Sequence, residues 1–138
     1  MPFLRIAPIC NGKIYVAPRS YQGEEPGKLD IPMEDYIYAC KTDTDKYAKE
    51  VENKYSNHIT GQPEPRFSLK HLVKETNGVK KTIMLYILPL NDEEQIHFTG
   101  GKFVTPEEIE MNSAQYSSFL KEEIDHLNIV TQMWEEFK

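Results

Sequence analysis

The segment Thr82-Ile-Met-Leu-Tyr-Ile-Leu88 is nearly all apolar and gives the clearest structural signal in the chain. Such a run is typical of a strand covered on both faces, so it is predicted to be the central strand of a sheet. It lies within a predicted strand over Lys80–Leu90, which follows an alternating segment over Arg66–Glu75. Asn77-Gly78 between them favours a tight turn, because both residues accept a positive φ. The centre of the chain is therefore predicted to be a β-hairpin.

Further strands are predicted on both sides of this hairpin. Phe3–Ile9 and Lys13–Ala17 are rich in β-branched and aromatic residues, and an Asn-Gly pair separates them, which predicts another hairpin. The glycines, prolines and charges of Pro18–Pro32 predict an irregular loop, a kind of segment that often carries function. Ile96–Val104 is predicted to be one more strand, with a bulge at Gly100-Gly101.

Three segments carry helix signals. Ala48, Val51 and Tyr55 recur at helical spacing and predict a helix from about residue 43 to 56. Thr105-Pro-Glu-Glu108 combines a capping threonine with proline at the first helical position, which predicts a short helix through residue 110. A long apolar stripe predicts a final helix over about 114–137. The fold class is therefore α/β, a mixed sheet with helices on both faces.

Length and composition narrow the class of protein. A chain of 138 residues matches one domain, predicted over 1–138, since domains typically have roughly 100–200 residues. With 22 acidic against 16 basic residues the net charge is -6, which argues against a nucleic-acid partner. No apolar stretch approaches the ~20 residues needed to span a bilayer, and the N-terminus lacks a signal-peptide layout. We therefore expect a cytoplasmic protein with no membrane partner.

Four fragments, in this order and spacing, resemble the Nudix (MutT-like) family. They are Val16-Ala-Pro-Arg-Ser20, Pro26-Gly-Lys-Leu-Asp-Ile-Pro32, Lys49-Glu-Val-Glu52 and Phe103-Val-Thr-Pro-Glu-Glu-Ile109. The resemblance covers nearly the whole chain and implies an α/β/α sandwich with a long C-terminal helix. It also implies a loop-helix-loop, the Nudix box, which holds magnesium in a family that usually cleaves a diphosphate linked to a nucleoside or similar group. That chemistry needs several carboxylates on one helix face, where they can jointly bind hard cations.

The helix that resembles the box keeps only part of this pattern. Glu50 takes the place of the glutamate in the family's Arg-Glu pair and is the candidate catalytic residue. Asn53 and Lys54 stand where metal-binding glutamates belong, and Lys41 replaces an upstream glutamate. Glu52 is about 200° from Glu50 around the helix, so the two cannot share an ion. We therefore predict no metal site, and Mg²⁺ or Mn²⁺ is expected as a cofactor only if the protein is enzymatically active.

Other acidic residues could fold towards this helix from predicted loops: Glu34, Asp35, Glu93 and Glu94. In a chain of net charge -6, however, loop acids are usually just solvated. The four histidines have no zinc-site spacing, so a structural role is expected for each of them.

The amines near the degenerate box suggest that a phosphate is held directly. If Lys41 and Lys54 lie near the vacated metal site, with Arg19 at the adjoining strand end, they can bind it by charge-assisted hydrogen bonds. Lys49 and Lys54 are five residues apart on a helix, so at most two of the lysines take part. Tyr36 could stack on a base or a sugar. The alternative is that the lysines are surface charges and that Tyr36 packs in the core or at its rim.

Three functions therefore remain open. The first is binding of a nucleoside-diphosphate-linked or other phosphorylated ligand with little or no metal-dependent hydrolysis, which the missing ligands favour. The second is an active pyrophosphohydrolase with displaced metal ligands. The third is an interaction module in which the amphipathic C-terminal helix forms a homodimer face.

Overall fold

The computed structural model describes residues 3–37, 44–74, 78 and 80–137. The strands of this part are β1 (Phe3–Cys10), β2 (Lys13–Pro18), β3 (Leu29–Asp30), β4 (Met33–Tyr36), β5 (Arg66–Lys74), β6 (Lys80–Pro89) and β7 (Lys102–Val104). The α-helices are α1 (Thr44–Lys54), α2 (Pro106–Met111) and α3 (Ser118–Glu136). Short 3₁₀ helices lie at Ser56–His58, Glu93–Gln95 and Ser113–Gln115. None of the described helices is long and apolar enough to cross a bilayer.

The strands form one mixed sheet with the order β3-β2-β1-β6-β5. At its centre β1 and β6 run parallel over seven residue pairs, from Phe3↔Ile83 to Ile9↔Pro89. β4 pairs antiparallel with the first half of β1, and β7 pairs antiparallel with β2. β5 and β6 pair antiparallel as predicted, while Asn77 of the predicted turn lies outside the described residues. The apolar run at 82–88 is an interior strand as part of β6, but the predicted central position belongs to its neighbour β1.

Alternate side chains of the central strands face opposite layers of helix. One face packs against α2 and α3, and its core includes Ala7, Ile9, Leu85, Ile87, Ile109, Leu120, Ile124 and Leu127. The other face packs against α1, and its core includes Leu4, Ile6, Met33, Ala48, Val51, Tyr86 and Leu88. The architecture is therefore the predicted α/β/α sandwich with a mixed sheet and a long C-terminal helix.

The start of α1 is fastened to the sheet by a buried tyrosine. The Tyr86 hydroxyl oxygen lies 2.8 Å from Thr44 Oγ1 and 2.6 Å from Asp45 Oδ1. The helix predicted over 43–56 ends at Lys54, and a 3₁₀ turn continues to His58. The 3₁₀ turn leads the chain from α1 towards β5.

The strand predicted over Ile96–Val104 is wrong in its first part, since only the last three residues form β7. Gly100 has φ +74°, and Gly101 N donates to Phe98 O at 2.9 Å, so the glycine pair belongs to a turn and not to a bulge. A Cβ on Gly101 would lie 1.9 Å from the hydroxyl oxygen of Tyr15. Close packing against this buried ring explains why a glycine stands there.

Two other boundaries differ from the predictions. The final helix begins at Ser118, four residues later than expected, because Ser117 caps it by accepting from Leu120 N at 3.1 Å. The predicted loop over 18–32 contains β3, and the acids predicted in the following loop, Glu34 and Asp35, lie in β4. The short helix after Thr105 is confirmed, with the threonine side chain accepting from Glu108 N.

Candidate functional site

A cavity of about 650 Å³ opens where the N-terminal end of β1 meets β4, β6 and the start of α3. Its aromatic wall residues are Phe3, Tyr36, Tyr55, His58, Phe98 and Phe119. Its charged wall residues are Arg19, Glu24, Glu34, Asp35 and Lys81. A concave site of this size, largely apolar with a few polar groups, is the usual form of a small-molecule site.

One wall of the cavity is backed by a fully buried arginine, Arg5, which holds three carboxylates. Its guanidinium nitrogens lie 2.7 Å from Asp30, 2.6 Å from Glu34 and 2.8 Å from Glu123. His71 Nε2 lies 3.0 Å from the second oxygen of Glu123. Because unpaired buried charges are strongly destabilising, these contacts fix β1, β4 and α3 relative to one another.

Arg19 joins this network from the cavity side. Its Nη1 lies 2.5 Å from Asp30 Oδ2 and 3.1 Å from Glu34 Oε1. Burial raises the pKa of the Glu34 carboxyl, the neighbouring Asp30 adds to this, and the two guanidiniums oppose it. For Asp30 burial acts in the same direction, but the contacts with Arg5 and Arg19 prevail and lower its pKa. Of these two carboxyls, Glu34 is therefore the harder to ionise.

Lys81 is a buried lysine in the same cavity wall. Its Nζ lies 4.3 Å from the ring centre of Phe3, 4.5 Å from that of Tyr36 and 5.7 Å from that of Phe119. Phe3 and Tyr36 also contact each other, with ring centres 4.9 Å apart. These distances are within the range of cation–π attraction, so the rings hold the ammonium group in place.

A stacked pair forms another part of the wall. The rings of His58 and Phe98 are 3.9 Å apart and inclined by 7°. His58 Nδ1 lies 2.9 Å from the carbonyl oxygen of His97, so Nδ1 carries the hydrogen and donates it. The ring orientation is thereby fixed by the backbone.

The structure brings together two of the four predicted ligand-binding residues. Arg19 and Tyr36 both line the cavity, and Tyr36 is 48% exposed. Lys54 lies on the surface at the end of α1, where its Nζ contacts Asp35 Oδ2 at 2.9 Å, and this hydrogen bond raises its pKa. Lys41 lies outside the described residues.

Glu50, the predicted catalytic residue, is exposed and lines a separate cavity of about 130 Å³. Glu52 lines a different cavity of about 300 Å³, and burial raises its pKa. The two glutamates thus face different spaces, as their spacing predicts. Within residues 3–37, 44–74, 78 and 80–137 no three His, Cys, Asp or Glu side chains are grouped to hold a metal ion. The Asp35 carboxylate lines the same small cavity as Glu50, and it contacts Lys54 Nζ at 2.9 Å.

Three important residues of this region are missed by sequence reasoning. Arg5 interrupts an apolar strand, and a charge in such a run signals a buried ion pair. Lys81 follows Lys80 at the polar start of β6. Only the alternation of side chains along the strand indicates that the two lysines face opposite sides of the sheet. Phe119 is read only as part of the apolar stripe of the final helix.

Comparisons with known proteins agree with this architecture. No protein-family model matches the chain, and no curated protein matches it. Among solved structures, a Nudix hydrolase from Nitrosomonas europaea is similar over 95% of this chain and 91% of its own, with a TM-score of 0.63 and 12% identity. The Nudix hydrolase RenU from M. smegmatis has a TM-score of 0.61 and 12% identity over 96% of this chain and 86% of its own. The Nudix domain of Shewanella oneidensis NrtR, complexed with ADP-ribose, has a TM-score of 0.58 and 12% identity over 100% of this chain and 88% of its own. At such identities the likeness concerns the fold.

Proposed function

The chain has the Nudix fold, and from this premise we propose that it binds a nucleoside-diphosphate-linked or other phosphorylated ligand, with little or no metal-dependent hydrolysis. The observation that carries the proposal is the cavity of about 650 Å³, in which Arg19 and Tyr36 share one space with further aromatic rings. The structurally similar domain of NrtR is complexed with ADP-ribose, which supports a ligand of this class.

The wall offers both kinds of contact that such a ligand needs. Aromatic faces of Tyr36 and of the His58–Phe98 pair can stack on a base, and each stacking contact contributes about 1–3 kcal/mol in nucleic-acid complexes. Arginine suits phosphate because its planar fork donates two parallel hydrogen bonds. The net charge of -6 favours a small ligand over a nucleic acid.

The acids of the region support binding more than metal-dependent cleavage. Glu34 already contacts Arg5 and Arg19, and Asp35 already contacts Lys54. A divalent ion could recruit these carboxylates only by displacing their cations, which for Arg5 would leave a buried charge with fewer partners.

Calorimetric titration with ADP-ribose tests the proposal. We expect binding of similar affinity with and without Mg²⁺, and no product by chromatography of the same mixtures. Tyr36→Ala, which removes a cavity wall, should weaken binding. Tyr21→Ala is the matched control, since Tyr21 is 86% exposed and is not part of the wall.

Two results would reject this function. Absence of binding by ADP-ribose, nucleoside triphosphates and dinucleoside polyphosphates would remove the ligand class. Metal-dependent turnover that is abolished by Glu50→Gln would instead establish the alternative, an active pyrophosphohydrolase with displaced metal ligands.

The homodimer face predicted on the C-terminal helix stays a prediction. α3 and the residue after it expose Ile129, Met133 and Phe137, which recur every four residues along one side. The mass in solution, measured by light scattering at several concentrations, tests whether two copies associate through this side.

A further inference from the structure

Three cations surround the ring of Phe119 at the start of α3. The guanidinium carbons of Arg5 and Arg19 lie 5.3 and 5.5 Å from its centre, and Lys81 Nζ lies at 5.7 Å. Arg5 and Arg19 also bind the carboxylates of Asp30 and Glu34. At this end of the cavity three cations therefore pack against one aromatic ring, and two of them, Arg5 and Arg19, are paired with carboxylates.

Lys81 differs from the other lysines that were considered for anion binding. Lys81 is only 7% exposed, whereas the side chain of Lys54 is 53% exposed and that of Lys49 43% exposed. Coulomb attraction to a ligand is stronger where water is excluded, so a buried ammonium contributes more than a solvated one. Its aromatic neighbours also restrict the motion of the Lys81 side chain, which reduces the entropy lost when a ligand binds.

Two of the three carboxylates that line the cavity contact other cations. Both oxygens of Glu34 contact guanidinium nitrogens, Oε2 at 2.6 Å and Oε1 at 3.1 Å. Asp35 contacts Lys54 at 2.9 Å. With their charges largely neutralised, these acids repel an incoming anion less than bare carboxylates would.

We propose that Lys81, held by Phe3, Tyr36 and Phe119, binds the phosphate groups of the ligand. The proposal rests on the proposed function, because it names the residue that recognises the anionic part of a ligand in the same cavity. The ammonium donates charge-assisted hydrogen bonds to phosphate oxygens, while the rings keep it at the wall. It places the anion beside β6 and α3.

Calorimetry with ADP-ribose and with adenosine separates the phosphate contact from the rest of the ligand. Lys81→Met keeps the apolar stem and removes the charge, so it should weaken ADP-ribose binding about ten- to a hundredfold and leave adenosine binding unchanged. Lys80→Met is the matched control, since Lys80 precedes it on the same strand and is exposed, and it should bind both as wild type does.

A second measurement needs no variant. In protein labelled with ¹³C-lysine, ring currents should shift the Lys81 Hε signals upfield, and inorganic pyrophosphate should move them while Lys80 stays unchanged. Equal ADP-ribose affinity of wild type and Lys81→Met, or Hε signals that ignore pyrophosphate, would overturn the role of Lys81 and leave the proposed function standing. Equal loss of adenosine and ADP-ribose would reduce Lys81 to a packing residue and also overturn it. Failure of wild type to bind any of these probes would overturn both.

Discussion

Replacing the buried Arg5 by methionine tests the reasoning about the ionic network most directly. Methionine keeps much of the side-chain length but removes the charge and all the hydrogen bonds to Asp30, Glu34 and Glu123. Arg19 still reaches Asp30 and Glu34, but it makes no ion pair with Glu123, whose side chain is fully buried. The variant therefore leaves a buried carboxylate with His71 as its remaining partner.

The expected loss follows from this arrangement. Removing one partner of a buried ion pair costs about 3–5 kcal/mol, and here the lost partner serves three carboxylates, so we expect about 4 kcal/mol or more. Domains are stable by only ~5–15 kcal/mol, so a loss of this size removes a large share of the folding free energy. For a chain of this size the melting temperature should fall by about 10–20 °C.

Urea unfolding, followed by far-UV circular dichroism, measures this loss. Arg66→Met is the control, since Arg66 is exposed and stacks over Trp134 at 5.5 Å, which is expected to contribute less than about 1 kcal/mol. Adding Glu123→Gln to Arg5→Met should restore part of the stability, because the orphaned charge is then gone. An unfolding free energy of Arg5→Met within about 1 kcal/mol of wild type would refute the account.

The pH dependence of stability provides a second, independent test of the same ionic network. In wild type the pKa of Asp30 is lowered on folding, so its contribution is present above the unfolded pKa and is lost as pH falls through the folded value. In Arg5→Met the carboxylates that lose their cation should have raised pKa values, so acidification from neutral pH should stabilise that variant relative to wild type.

Three further changes test other parts of the fold. Burial raises the pKa of Glu52, so its ionised form is less favourable in the folded state than in the unfolded state. Glu52→Gln should therefore raise the melting temperature at pH 7. This gain should vanish below about pH 4.5, where the carboxyl is protonated in the unfolded state as well. Gly101→Ala should destabilise by about 1–3 kcal/mol, as its Cβ would overlap the buried Tyr15 ring, and an unchanged urea midpoint would contradict that packing. Ser117→Ala removes the helix cap that accepts a hydrogen bond from Leu120 N, and it should lower the free energy of unfolding by about 1 kcal/mol. Ser118→Ala is the comparison that separates the cap from the neighbouring contact, because the Ser118 side chain is bonded to Glu25.

Strand and helix types were largely predictable from local pattern, and boundaries were not. The apolar run of β6 and the Asn-Gly turn after β1 act within a few residues, so sequence alone predicts both hairpins. The segment over 96–101 has the composition of a strand, yet a contact with the distant Tyr15 makes it a turn. The start of α3 differs from the prediction because Tyr116 continues the apolar stripe ahead of the helix, and only the cap at Ser117 marks the true beginning.

The candidate site was less predictable because its residues meet only through the sheet. Arg19 belongs to a fragment that carries the resemblance, Tyr36 is an aromatic residue beside the segment that resembles the box, and both line the cavity. Lys81 comes from β6, almost fifty residues further along the chain, and its role depends on rings from β1, β4 and α3. No local motif encodes such a meeting. Of the residues that sequence reasoning missed, Arg5 is the one marked by an isolated charge in an apolar strand.

The position of the acids links the fold to the proposed function. Asp30, Glu34 and Glu123 come from three separate elements and meet at the two guanidiniums of Arg5 and Arg19. A divalent ion at Glu34 would compete with contacts of 2.6 and 3.1 Å that also hold β4 to the sheet core, so binding it would cost folding free energy. A phosphate makes no such demand, because it contacts cations and leaves the carboxylates paired. From the proposed function we therefore expect that wild-type protein gains thermal stability with pyrophosphate but not with Mg²⁺ alone.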